Sequence, residues 1–231
     1  MLRALPWRLL ILLLWLGPST PCRGQTWFAR PPVNFSAVRF SSNPILHPAL
    51  PGLQQLGEAG NNINGPSLIR VPDWVDGKLG IYYLYFASHT GTFIRMAYAD
   101  RLQGPWTVLT GGVLQLSQVP ICREHIASPD VVVEGRVIWL FIHCIVKDRG
   151  PIPAEWDSRS QCTAAAHSSN GVAFHPPGPP PQRFLGPFYY RVFTHTSGVY
   201  ALAKRRGKGG GVLYRCPRRT VAQCAGTPFE R

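Results

Sequence analysis

One short pattern occurs three times in this chain, and it leaves little room for a helical fold. The first copy runs Gly65-Pro66-Ser67-Leu68-Ile69-Arg70-Val71, turns at Asp73 to Gly77 and returns as Ile81-Tyr82-Tyr83-Leu84-Tyr85-Phe86. The second runs Ser128-Pro129-Asp130-Val131-Val132-Val133, turns at Glu134-Gly135 and returns as Val137-Ile138-Trp139-Leu140-Phe141. The third runs Leu185-Gly186-Pro187-Phe188-Tyr189-Tyr190-Arg191-Val192-Phe193, turns near Ser197-Gly198 and returns as Val199-Tyr200-Ala201-Leu202-Ala203. Each copy joins two β-branched and aromatic strands through a polar turn. Pro66, Pro129 and Pro187 fall 63 and 58 residues apart. Each opens a strand, where a missing N–H is tolerated.

A second pair of strands follows each hairpin. In the first unit it is Phe93 to Ala99, a turn through Asp100 to Pro105, then Trp106 to Leu109. In the second it is Gln161 to His167, the turn Ser168-Ser169-Asn170-Gly171, then Val172 to Phe174. The third begins likewise at Gly211 to Arg215 and ends in Thr227-Pro228-Phe229. With 23 Gly, 23 Pro, 11% aromatics and only two Met, the composition suits short strands and tight turns. Antiparallel four-stranded units recurring about every 60 residues predict an all-β fold of β-propeller blades, with about three blades present. A β-sandwich has strands as dense but no reason to repeat one proline-led hairpin.

The ends of the chain read differently. Arg3 and Arg8 precede the apolar run Leu9 to Leu16, and Cys22-Arg23-Gly24 ends in a small residue. That is the pattern of a signal peptide over residues 1–24, too short to span a bilayer, so a secreted protein with no membrane span is expected. Residues 25–54 read as an extended N-terminal arm and 55–231 as the propeller domain. Losing the leader removes three arginines and no acid, so the formal charge falls from +13 to +10. Much of this excess lies in Lys204 to Lys208 and Arg215 to Arg219, with no nucleic-acid motif beside either, so no nucleic-acid partner is expected. Five cysteines remain after cleavage; Cys144 with Cys162 and Cys216 with Cys224 are the local pairings considered, and an odd thiol is left over. No Cys/His spacing suggests zinc, and no metal or cofactor is expected. Asn34-Phe35-Ser36 is an N-glycosylation sequon.

Several segments resemble the five-bladed β-propeller glycoside hydrolases of the arabinanase and β-xylosidase type (family 43). They are Asn64 to Arg70, Tyr82-Leu84-Tyr85-Phe86, Ala97-Tyr98-Ala99-Asp100 through Gly104-Pro105-Trp106, and Ser168 to Gly171 with Phe174. The resemblance covers residues 55–231 and implies a secreted protein acting on or binding a carbohydrate. It implies five blades, whereas this chain reaches Arg231 within the third, so an incomplete propeller is expected. It also implies acids at the heads of successive inner strands, one activating water and another protonating the leaving oxygen. The positions at or before the three prolines are Gly65, Ser128 and Leu185–Gly186, and none is acidic.

Antiparallel geometry puts the start of a blade's first strand, the end of its second and the start of its third on one mouth. There the sequence places Asn64, His89, Arg95, His125, Asp130, His143 and Lys204, overhung by a loop carrying Asp148, Glu155 and Asp157. Asp130 shares the strand parity of Ser128 and is the one carboxylate nominated as catalytic. Asn64, His89, Arg95, His125 and His143 are candidates for holding substrate. Two functions follow: a glycosidase with a non-standard acid set, or a noncatalytic module binding glycan or protein, with an anionic glycan suiting the basic charge.

Overall fold

The computed structural model describes residues 35–146, 161–178, 184–204 and 210–231. The leader, Asn34, the acids of the 147–160 loop and the first basic cluster beyond Lys204 lie outside them. The chain divides into Met1–Val38 and Arg39–Arg231. Of the first unit, residues 35–38 are described, exposed and without regular structure. All that follows concerns the second.

Three antiparallel sheets follow one another along the chain. The first holds β1 (Asn64–Arg70), β2 (Tyr82–Ala87), β3 (Phe93–Ala99) and β4 (Thr107–Val108) in that order, with β5 (Leu114–Gln115) also on β3. The second holds β6 (Cys122–Glu134), β7 (Val137–Val146), β8 (Gln161–Ser168) and β9 (Gly186–Pro187). The third holds β10 (Arg191–His195), β11 (Gly198–Lys204) and β12 (Gly211–Arg215). Two short helices, α1 (Glu58–Asn61) and α2 (Val221–Cys224), flank them. Sequential meanders whose first strands lie side by side are propeller blades, and the fold is a partial β-propeller.

The two-residue period of each strand explains how the sheets stack. In β2, Tyr83, Tyr85 and Ala87 face the second sheet, while Leu84 and Phe86 join Ile45, Leu46, Leu50 and Leu53 on the other side. In β7, Ile138, Leu140, Ile142 and Cys144 face the first sheet, and Trp139 and Phe141 face the third. Every residue from Ile138 to Cys144 is therefore buried, which is why β7 reads as a continuous apolar run. In β11, Val199, Ala201 and Ala203 pack on the second sheet. The opposite face of the third sheet leaves Phe193, Leu202 and Leu213 exposed at 44%, 47% and 52%.

Three sequence expectations are corrected. First, Leu185 to Phe193 is not one strand. Gly186–Pro187 pairs with Cys162 and Thr163 as the last strand of the second sheet, and the third sheet starts at Arg191. Tyr189, at φ 64°, separates the two. Second, Val172 to Phe174 is not the second blade's outer strand. Asn170 Oδ1 accepts the N–H groups of Val172 and Ala173 and holds a turn, and Phe174 packs edge-on to Tyr85 with ring centroids 5.7 Å apart. The segment ties the first blade to the second, since the Tyr85 hydroxyl also donates to the Gly171 carbonyl at 2.8 Å. Third, Cys144 bonds Cys122 rather than Cys162, while Cys216–Cys224 is formed. Cys162 does lie opposite Cys144 in the ladder. A bulge between Arg123 and Ile126, with Glu124 at φ 64°, brings Cys122 to a Cα distance of 5.6 Å from Cys144.

Candidate functional site

The hub is built by one device used twice. Gly65, Ser128 and Tyr189, at φ 59°, 47° and 64°, each sit two residues before the same point of their inner strands. A Cβ on Gly65 would lie 2.7 Å from the Ser128 Cα, so glycine is what lets the two strand heads meet. Two residues on stand Ser67, Asp130 and Arg191. The Val131 N–H donates to Ser67 Oγ at 3.0 Å, and the Val192 N–H donates to Asp130 Oδ2 at 2.6 Å. A side-chain oxygen on one blade thus takes the backbone donor of the next.

Asp130 is occupied on both oxygens. Its Oδ1 accepts from Arg191 Nη1 at 3.1 Å and from Ser67 Oγ at 3.4 Å, and Arg191 Nη1 also reaches the Pro129 carbonyl at 2.8 Å. The residue is buried, and desolvation raises its pKa against the opposing pull of the Val192 N–H and of Arg191. Hydrolysis of the expected kind needs two carboxylates flanking a bond. Glu124, beside His125, is paired with Arg123 at 3.2 Å. Asp73, Asp100 and Glu134 serve remote turns: Asp73 pairs with Lys78, Asp100 accepts the Ile81 N–H, and Glu134 accepts the N–H groups of Val221 and Ala222 at the start of α2.

Histidines gather at the blade ends. The His125 and His143 Nε2 atoms are 3.4 Å apart, and His143 Nε2 lies 3.2 Å from Gln161 Oε1. The ring nitrogen that holds the proton in each imidazole sets the direction of both contacts. His125 has its pKa lowered, first by burial and then by His89, against the pull of Glu124. His89 in turn accepts on Nδ1 from Asn64 Nδ2 at 3.3 Å, while its backbone N–H donates to Asn62 Oδ1. Phe188 and Tyr189 close the cluster, with centroids 5.7 and 4.9 Å from His143, and the Lys204 ammonium lies 5.4 Å over the Phe188 ring. Asn64, His89, His125 and His143 are therefore brought together.

Arg95 is not among them. It lies on the face of β3 turned toward residues 45–56, buried over the Phe86 ring at 4.8 Å. Its guanidinium donates to the Ala59 carbonyl at 3.1 Å and to the Asn62 carbonyl, where α1 ends. Burial pushes its pKa down to about 10. It borders a cleft of about 690 Å³ with Leu56, Trp106 and Thr110. Sequence reasoning missed Gln161, Phe188 and Tyr189, which it had read as strand residues. Only the break at Tyr189 turns the last two toward His143. Among the described residues, no three His, Cys, Asp or Glu side chains converge as metal ligands, and no helix is long and apolar enough to cross a membrane.

No protein-family model matches the chain. Over 189 residues it is 30% identical to the uncharacterized protein R118 of Acanthamoeba polyphaga mimivirus, covering 74% of this chain and 49% of that protein. The chain thus spans about half the length of this curated relative. Among solved structures it is similar to the GH43 BlXynB protein of Bacillus licheniformis, with TM-score 0.48 and 16% identity over 82% of this chain and 32% of that one. It is similar too to an exo-1,5-α-L-arabinanase from a bovine ruminal metagenomic library, with TM-score 0.45 and 15% identity over 74% and 58% of the two chains. An exo-β-1,3-galactanase from Clostridium thermocellum gives 0.45 and 17% over 74% and 37%.

Proposed function

We propose that this chain is an exported, carbohydrate-binding partial propeller that holds a glycan at its histidine-lined mouth without hydrolysing it. The observation that carries this reading is the occupation of Asp130: its oxygens join the second blade to the third through the Val192 N–H and Arg191. What the mouth offers instead is a mixture of hydrogen-bonding groups, Asn64, His89, His125 and Gln161, beside the aromatic faces of Phe188 and Tyr189. That mixture suits sugar hydroxyls and the apolar faces of sugar rings. Two disulfides and the leader-like residues 1–24 support export, and Asn34 is the site proposed for glycosylation.

The second reading is hydrolysis by Asp130, with Asn64, His89, Arg95, His125 and His143 holding substrate. The upward direction of the Asp130 pKa favours it, because burial helps a general acid keep its proton to higher pH. Titration calorimetry of the full chain with arabinan, xylan and uronic-acid oligosaccharides tests the binding reading. Saturable binding is expected, weakened about tenfold by Tyr189→Ala and by Asn64→Ala. Affinity for none of the panel, or affinity indifferent to both substitutions, would remove the mouth as a glycan site.

A further inference from the structure

We propose that His125, His143 and Gln161 form a binding site for a divalent transition-metal ion, of which Zn²⁺, Ni²⁺ and Cu²⁺ are the ions suited. Two imidazole nitrogens bound to one tetrahedral ion at the usual Zn–N length of about 2.0–2.1 Å stand about 3.4 Å apart. The two Nε2 atoms are separated by 3.4 Å. Their rings are 72° from coplanar with centroids 5.0 Å apart, so they converge tip to tip instead of stacking face to face. Gln161 Oε1 lies 3.2 Å from His143 Nε2, ligand-to-ligand spacing from that imidazole.

Positioning is supplied by the fold. His143 is on β7 and Gln161 opens β8, two adjacent strands of the second sheet. His125 lies in the bulge of β6 between Arg123 and Ile126, which the Cys122–Cys144 disulfide spans, so its displacement from the regular ladder is fixed covalently nearby. His143 is buried at 3% exposure, and His125 is half-buried. Imidazole and amide donors select borderline transition metals over Ca²⁺ and Mg²⁺, which require oxygen-rich shells. Each ligating Nε2 must present its lone pair, so both imidazoles bind the ion with their proton on Nδ1. A fourth position stays open to water or to a sugar hydroxyl.

The test titrates Zn²⁺ alone into the untagged full chain, freed of metal by chelation and dialysis, with no glycan present. It therefore stands or falls separately from glycan binding. One Zn²⁺ per chain is expected, with affinity lowered at least about tenfold by His125→Ala, unchanged by His195→Ala and unaffected by excess Ca²⁺. Should His125→Ala not fold, imidazole NMR of the unsubstituted chain decides, since Zn²⁺ must shift the His125 and His143 signals together. Absence of binding, equal affinity in a folded His125→Ala variant, or shifts confined to other histidines would overturn the site.

Discussion

The carboxyl of Asp130 is buried because the first strand of the third blade depends on it. Its Oδ2 takes the Val192 N–H and its Oδ1 takes Arg191. Asp130→Ala should therefore lower stability by about 1–3 kcal/mol, chiefly the cost of leaving the buried Val192 N–H without its acceptor, since Arg191 is half exposed and keeps the Pro129 carbonyl. Asp130→Asn keeps a neutral acceptor and should cost less. The pH dependence follows from the direction of the shift. With the folded pKa raised, Asp130 adds stability that is fully present below its unfolded pKa and is lost as pH rises through the folded value. Urea titrations from pH 3 to 8 should show the gap between wild type and Asp130→Asn shifting against wild type across that window and level above it. None of this was legible in the sequence. Ser67, Asp130 and Arg191 share no side-chain chemistry that would mark them as equivalent, and only their common place after a left-handed residue reveals it.

Elements were far more legible than residues. Phe93–Ala99 and Gly211–Arg215 are strands with the bounds expected, because alternation and β-branched or aromatic residues act locally. Proline was the misleading marker. Pro66 and Pro129 lie in inner strands, but Pro187 lies in an outer one, and the residue doing the work of Gly65 in the third blade is Tyr189. A tyrosine at positive φ gives no sign of itself in a sequence. The bulge at Glu124 misdirected the cysteine assignment for the same reason. Gly65 supplies a prediction at this scale. Gly65→Ala and Gly135→Ala impose the same positive φ, but only the first drives a Cβ into Ser128, whereas nothing lies within 4 Å of the second. Thermal unfolding should place Gly135→Ala about 1 kcal/mol below wild type and Gly65→Ala a further 1–3 kcal/mol below that.

For the molecule as a whole, the stacking order sets what is covered and what is open. The first sheet is covered on one face by residues 45–56 and on the other by the second sheet, which is itself buried on both faces. Charge is the other global property. With a formal +13 over the whole sequence, +10 without residues 1–24, and Lys204 beside Phe188 at the mouth, oligosaccharides carrying uronic acids should bind more tightly than neutral ones at low salt. That advantage should fade by about 0.5 M salt, where screening shortens the reach of exposed charges. Calorimetry at two salt concentrations reads the difference directly. The central claim is that the hub carboxylate joins blades and cleaves nothing. The most direct measurement follows sugar release and binding together on one glycan panel for wild type and Asp130→Asn. No release by either protein, with binding retained by both, is the predicted result; release by wild type that Asp130→Asn abolishes while still folded would contradict it.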